Sequence, residues 1–401
     1  MTSINYILLW FGAAVSIAEI ITGGLLAPLG FTKGAAAIVL GHLAGTTILI
    51  LGGIIGSQTK LPAIMTTRIS FGLYGSYLFA VLNIMQLIGW TAVMIVAGGR
   101  SVNQITKMVW SFDHGMLWSL IIGGLIFLWI AAGNNGLKRL NSVAVALLFV
   151  LTIILSGVVF SDSELLTKQP AGEMTFGGAL ELSVIMPLSW LPLIADYTRF
   201  ARKTSEGAWG SWIGYFVGSC WMYLIGLGAT IVAGDSDPAA MMLAANLGLA
   251  ALGIVVLSTI TTTFLDVYSA GVSCGNLWPN ASERKMALAM AVVGTALAIV
   301  INIEQYENFL YAIGSVFAPL FAVLLTDYFF LGRKQADSRL LVDWGAVIVW
   351  VVGVVMYYQF VKLDLVVGAT VPVMITTGVI YAVASRFMAG WKILKAGKVV
   401  G

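Results

Sequence analysis

The sequence predicts an all-α membrane protein of twelve transmembrane helices, two of them broken, and three observations carry that expectation. Of 401 residues, 59% are hydrophobic and 10% charged, with a mean hydropathy of +0.96, whereas soluble domains carry about 25% charged residues. Apolar runs near the roughly 20 residues needed to cross a bilayer recur at 5–29, 35–57, 73–99, 115–133, 141–160, 176–198, 208–233, 243–274, 285–303, 308–331, 342–361 and 367–388. The first and sixth runs carry helix breakers in their middles.

Span 1 contains SIAEIITGGLLAPLG, Ser16 to Gly30, which sets Glu19 inside an apolar run. Insertion scales put an acidic residue at the centre of a membrane helix at roughly 2.5 to 3.5 kcal/mol, so such a group faces a cavity, a partner or a ligand. Gly23, Gly24 and Pro28 follow. Glycine adds backbone freedom and proline removes a donor, so the helix is expected to break near the midplane. A break at that depth survives only where it is buried in protein or lines a water-filled cavity. His42 in span 2 is expected to be packed and hydrogen-bonded, because no second ligand stands at metal-binding spacing.

Span 3 contains VLNIMQLIGWTAV, where Gln86 and Trp90 are four apart and share a helix face beside Asn83. An amide next to a flat aromatic surface suits a planar ring with polar edges. Simple packing of Trp90 and an interhelical bond from Gln86 would account for the same pair. Span 6 reads LSVIMPLSWLPLIADYTRF, with Pro187 and Pro192 bracketing Ser189 and Trp190. Two interrupted helices, five apart, point to the central site of an inverted-repeat transporter. Trp190 supplies a second ring there, and two aromatics can sandwich a heterocycle.

Span 8 holds LSTITTTFLDVYSAG. Ser258, Thr261 and Thr262 can present hydroxyls on one face, with Asp266 a turn beyond Thr262. Hydroxyl and carbonyl oxygens suit a hard cation, and an unwound span 1 would supply carbonyls nearby. The alternative is that these hydroxyls bond to their own helix. Asp266 resists that account, since a buried carboxylate needs a cation, a proton or a donor network.

The links after spans 2, 4, 6, 8 and 10 hold Lys60, Arg68, Lys138, Arg139, Arg199, Arg202, Lys203, Arg284, Lys285, Arg333, Lys334 and Arg339, and the tail adds Arg386, Lys392, Lys395 and Lys398. The alternate links carry Asp162, Glu164, Glu173, Asp235, Asp237, Glu304, Glu307 and Asp364. The positive-inside rule therefore expects both termini on the cytoplasmic side of the inner (plasma) membrane. MTSINYILLW has no basic n-region and no small-residue cleavage site, so it is expected to lead straight into span 1. A net charge of +3 does not suggest nucleic acid. Cys220 and Cys274 lie in or beside apolar runs and suggest neither a disulfide framework nor a metal site. No cofactor motif, soluble domain or obligate protein partner is evident, so membrane lipid and a small molecule are the expected partners.

At this point the residues resemble a family. RISFGLYGS (Arg68 to Ser76), MQLIGW in span 3, IADYTRFAR at the end of span 6, the TTT cluster with YSAG in span 8 and APLFAVLLTDYFF in span 10 are similar to the nucleobase:cation symporter family that includes bacterial cytosine permease. The likeness runs from about Ile7 to Lys334 in the family's order and looks closest to the hydroxymethylpyrimidine permease branch. It implies a leucine-transporter-like fold: a first inverted repeat over 1–160, a second over 161–334, and two further helices with the tail over 335–401. It also implies alternating access coupled to sodium or protons.

Carried onto matching positions, the resemblance makes Trp90 the stacking partner of the ring and Gln86 a bond to its edge, with Ser189 and Trp190 closing the other face. Thr261 and Thr262 match the family's cation-site pair, with Ser258 beside them and main-chain carbonyls from Ser16 to Glu19 completing a sodium site. Thr263 stands where cytosine permease has a substrate-binding asparagine. Glu19 replaces a small polar residue of that permease. A 4-amino-2-methylpyrimidine offers an amino donor beside a ring nitrogen able to carry a proton, and a carboxylate is the natural acceptor for that edge. Glu19 therefore favours the hydroxymethyl-aminopyrimidine precursor of thiamine over cytosine, and Asp266 is counted among the substrate-binding residues. A channel would show repeated pore elements or rings of charge, and an enzyme would show a catalytic constellation; neither is found.

Overall fold

The computed structural model describes residues 1–132, 134–161, 167–168, 172–234, 248–301 and 305–394. A helix lies at each expected position. Helix 1 is bent by 59° between Ser3–Ala14 (1a) and Ile17–Leu25 (1b). Helix 2 is Phe31–Thr59, helix 3 Arg68–Trp110, helix 4 Gly115–Ala132 and helix 5 Asn134–Phe160. Helix 6 comprises Phe176–Ser189 (6a) and Ile194–Thr198 (6b), and helices 7 and 8 are Thr204–Ala233 and Gly248–Leu277. Helices 9 to 12 are Glu283–Ala298, Tyr306–Leu325, Trp344–Lys362 and Thr370–Ala384. Among the described residues, eight helical segments, plus the bent pair of helix 1, are long and apolar enough to cross a membrane. Helices 5, 9 and 12 fall outside that set: the first is apolar over Val145–Phe160, and the other two have 16 and 15 residues.

The break in helix 1 lies earlier than its glycines and proline suggest. It falls at Val15 and Ser16, where Ser16 adopts an extended conformation (φ −136°, ψ 156°) and its side chain accepts from the Glu19 amide at 3.3 Å. Ser16 caps a new helix start. Gly23 has another task, close approach. A side chain at Gly23 would overlap the Tyr223 carbonyl of helix 7, and one at Gly226 of helix 7 would overlap the Ile20 carbonyl of helix 1b. The two helices touch backbone to backbone, as small residues permit in membrane bundles. Pro28 sits in the terminal 3-10 turn Ala27–Leu29.

Helix 6 breaks where expected. The chain turns through Trp190 to Leu193 after Pro187, and 6b resumes at Ile194.

The expectation of helices alone needs one correction. Leu340–Asp343, before helix 11, pairs antiparallel with Lys392–Leu394, after helix 12. Helices 11 and 12 form an antiparallel hairpin that returns the chain to the same end, so its two flanks meet there as extended segments. Gly72, at φ +77°, lies against the Leu340 and Leu341 carbonyls, a position a side chain could not share.

Several basic links gather at that end. The Met1 amino group donates to the Phe200 carbonyl at 2.9 Å and Lys60 Nζ to the Ala201 carbonyl at 2.9 Å. Arg199 lies 3.9 Å from Glu283. At the opposite end Lys168 Nζ donates to the Val232 carbonyl at 3.1 Å and Thr175 Oγ1 to Asp364 at 2.6 Å. The linking segment around Glu164 and the acidic positions Asp162, Asp235, Asp237 and Glu304 lie outside the described residues.

The helix 11–12 hairpin is fixed to the bundle by two buried acids. Glu181 of 6a accepts from Tyr357 Oη (2.6 Å), the Ala369 and Thr370 amides (2.7 and 2.8 Å) and Thr370 Oγ1 (2.6 Å). Asp327, beyond helix 10, accepts from Tyr381 Oη at 2.8 Å and pairs with Arg333 at 3.0 Å.

Candidate functional site

The breaks of helices 1 and 6 face the same internal cavity. Its wall contains Ser16, Ala18 and Glu19 from helix 1, Trp90 and Met94 from helix 3, Met186, Ser189 and Trp190 from helix 6, and Thr262 and Asp266 from helix 8. The two indole rings thus enter from helices 3 and 6 and the two carboxylates from helices 1 and 8. The cavity is tight: its volume of about 20 Å³ admits little more than one water.

Both rings are braced from behind. Trp90 meets Phe309 and Tyr306 edge to face at centroid distances of 5.3 and 6.0 Å. Trp190 meets Trp10 at 5.6 Å and Tyr215 at 6.3 Å, again edge to face. Edge-to-face packing is a favourable aromatic geometry, and it fixes the orientation of each ring.

Of the residues singled out in the sequence, Ser16, Glu19, Trp90, Ser189, Trp190, Thr262 and Asp266 line the cavity, whereas Gln86, Ser258, Thr261 and Thr263 do not. Gln86 lies just behind the wall, where its Nε2 donates to Asn83 Oδ1 at 3.0 Å and the Ser189 carbonyl at 3.3 Å, while its Oε1 is buried without a partner among the described residues. Ser258 Oγ donates to the Val255 carbonyl at 3.2 Å and Thr261 Oγ1 to the Leu257 carbonyl at 2.8 Å, so both serve their own helix. Thr262 reaches across the break of helix 1 instead, donating to the Ala13 carbonyl at 3.4 Å. Thr263 is fully buried and its hydroxyl has no partner among the described residues.

The carboxylates differ sharply. Glu19 Oε1 accepts from Tyr215 Oη at 2.7 Å and Oε2 from Ser219 Oγ at 2.6 Å. Ser219 Oγ is also 2.6 Å from His42 Nε2, and His42 Nδ1 is 2.9 Å from the Ile38 carbonyl. His42 is packed and hydrogen-bonded among buried groups. Asp266 is as deeply buried, at 3% exposure, yet no hydrogen bond or ion pair reaches it from the described residues.

Tyr215, Ser219 and the link from Ser219 to His42 were not among the sequence candidates. A signal was present, since Tyr215 and Ser219 stand four apart on helix 7 and share a polar face. Met94 and Met186, also in the wall, carry no signal that separates them from core methionines.

Over residues 1–384 the chain matches the family model described as permease for cytosine/purines, uracil, thiamine and allantoin. It is 25% identical over 344 residues to the cytosine permease of Escherichia coli (strain K12), covering 83% of this chain and 80% of that protein. It is 22% identical over 396 residues to the allantoin permease of Bacillus subtilis (strain 168), covering 87% and 79%. The fold is similar to that of Mhp1, a nucleobase-cation-symport-1 family transporter, in a closed conformation with bromovinylhydantoin bound: TM-score 0.82 at 18% identity, covering 97% of this chain and 92% of that one. A sodium-coupled sialic acid symporter in a substrate-bound outward-open state gives a TM-score of 0.70 at 11% identity, covering 100% and 92%. These likenesses show the leucine-transporter-like architecture that the family resemblance implies.

Proposed function

Because the chain belongs to the family of permeases for cytosine/purines, uracil, thiamine and allantoin, and so is a transporter of nucleobase-type small molecules rather than an enzyme, we propose that it imports the hydroxymethyl-aminopyrimidine precursor of thiamine by cation symport. One observation carries this reading: two braced indole rings and two carboxylates line a single cavity between the interrupted helices. Indole faces suit an aromatic ring, and carboxylates suit its amino edge.

In this reading, sodium is held at the break of helix 1, by Ser16, carbonyls from Ala13 onward and the Thr262 hydroxyl. A proton is the other candidate for coupling. Cation binding steadies the break against helix 8, the ring enters between Trp90 and Trp190, and the two inverted repeats, 1–160 and 161–334, rock to expose the cavity on the other side. Each ligand biases that equilibrium only through its different affinity for the two states. The collection of basic links at one end supports placing that end and both termini in the cytoplasm, with the protein in the inner membrane.

Cytosine, or another nucleobase, is the second reading, favoured by the likeness to cytosine permease. The test is thermal stability of the purified protein with hydroxymethyl-aminopyrimidine, cytosine, uracil, adenine, allantoin and thiamine, each with and without sodium. A ligand that binds the native state raises its stability with the logarithm of concentration over Kd. Stabilisation by the aminopyrimidine alone, greater in sodium, is expected. Stabilisation by cytosine alone replaces the substrate and leaves the fold and family untouched.

A further inference from the structure

The charge count around the cavity separates the two carboxylates. Ser219 has a single hydroxyl hydrogen but sits 2.6 Å from both Glu19 Oε2 and His42 Nε2. His42 Nδ1 faces a carbonyl, so it carries a hydrogen, and in a neutral ring Nε2 is then an acceptor. Satisfying both Ser219 contacts requires one further proton. If Ser219 donates to Glu19, His42 is an imidazolium; if it donates to His42, Glu19 is a carboxylic acid. In either arrangement the Glu19–His42 pair has no net charge, and both Glu19 oxygens are occupied.

Asp266 has no such compensation. Among the described residues, no lysine, arginine or histidine lines the cavity, and no donor reaches the carboxylate. The rest of the wall is Thr262 of its own helix, two serines, an alanine, two indoles, two methionines and Glu19, whose oxygens are already engaged. A buried, unpaired carboxylate is costly unless a cation or a proton meets it.

We propose that Asp266, not Glu19, receives the charged edge of the substrate, and that the site therefore selects a singly charged cationic heterocycle, such as a protonated aminopyrimidine, over a neutral ring of the same shape. This rests on the pyrimidine reading above. The amino group of the cationic ring donates to an Asp266 oxygen, and the charge of the ring cancels that of the carboxylate. Glu19 holds helix 1b to helices 2 and 7 through Tyr215, Ser219 and His42, and it acts on the cavity only by positioning that helix.

The test is equilibrium binding to the purified full-length protein, in sodium, with three probes. They are hydroxymethyl-aminopyrimidine, the same ring methylated at N1, remote from the amino edge and thus permanently cationic, and the uncharged 4-pyrimidinone analogue. A charge-assisted hydrogen bond lost from a buried site corresponds to about tenfold or more in affinity. The wild type is expected to prefer the permanent cation to the pyrimidinone by at least about that factor. Asp266→Asn should remove the preference, Asp266→Glu should keep it, and Glu19→Gln should keep it while weakening all probes alike.

A preference that persists in Asp266→Asn, or that disappears in Glu19→Gln, overturns the assignment. Wild-type binding of the pyrimidinone alone also overturns it, yet leaves pyrimidine transport standing. Binding of none of the probes removes both. If Asp266→Asn abolishes stabilisation by sodium alone and leaves the probe ratio unchanged, the carboxylate is a metal ligand and the proposal fails.

Discussion

Glu181 and Asp266 are equally buried, each 3% exposed, and their surroundings are opposite. Glu181 is met by four donors from helices 11 and 12 and their link; Asp266 is met by none among the described residues. Burial alone therefore does not mark a ligand site in a membrane bundle. A saturated carboxylate is a fastener, and an unsaturated one facing a gap is a receptor waiting for charge. Glu19 stands between them, with both oxygens engaged but on the wall of the cavity.

Substitutions can break or sharpen that contrast. The largest effect is expected at Glu181→Ala, which strands buried donors at about 1–3 kcal/mol each. The Tm of the purified protein should fall by about 5 °C or more, with affinity per folded molecule preserved; an unchanged Tm would mean that the four bonds do not fasten the hairpin. Asp266→Asn should do the reverse. Replacing an unpartnered buried carboxyl by an amide of the same shape should leave the ligand-free Tm nearly unchanged, and binding of the aminopyrimidine weakens by about tenfold. A large loss of stability without ligand would place Asp266 with Glu181 as a structural group.

Trp90→Ala should come next, weakening ring binding roughly fivefold by loss of stacking. Equal weakening of a non-aromatic cation in the same titration would argue that Trp90 only fills space.

The smallest effect is expected at Asp113, in the exposed link after helix 3. Asn103 and Lys107 hold its carboxyl below the usual carboxylate range. Such a group adds stability above its unfolded-state pKa and loses it as pH falls through the folded-state value. The Lys107–Asp113 pair is largely exposed and salt screens it. Asp113→Asn should therefore leave the Tm profile between neutral and mildly acid pH unchanged, and a visible shift would show coupling of this link to the bundle.

Much of this architecture is legible in the chain. Hydropathy places the helices, and Pro187 with Pro192 places the break of helix 6, because both act on the chain within a turn or two. The break of helix 1 is legible for a different reason from the one its glycines suggest. Ser16-Ile-Ala-Glu19 has the spacing of a helix start, whereas Gly23 serves a close approach to helix 7 that no local pattern can reveal. Asp266 and Trp90 stand out because a charge and a large ring are conspicuous in their helices. The saturation of Glu19 is not legible, since Tyr215 and Ser219 lie about two hundred residues further on and only the tertiary packing brings them to it. The pairing of Leu340–Asp343 with Lys392–Leu394 escapes for the same reason.

The seam between helices 1b and 7 has a mechanical corollary. With Gly23 and Gly226 leaving no side-chain layer between the two backbones, that joint has no play, whereas across the break Thr262 meets the Ala13 carbonyl at only 3.4 Å. The gap must widen well beyond its present 20 Å³ to admit a ring, and the looser joint is where it can give. Helix 7 is then expected to move with helix 1b. A pair of spin labels on its outer end and on helix 8 would read the opening of a cavity that neither label touches.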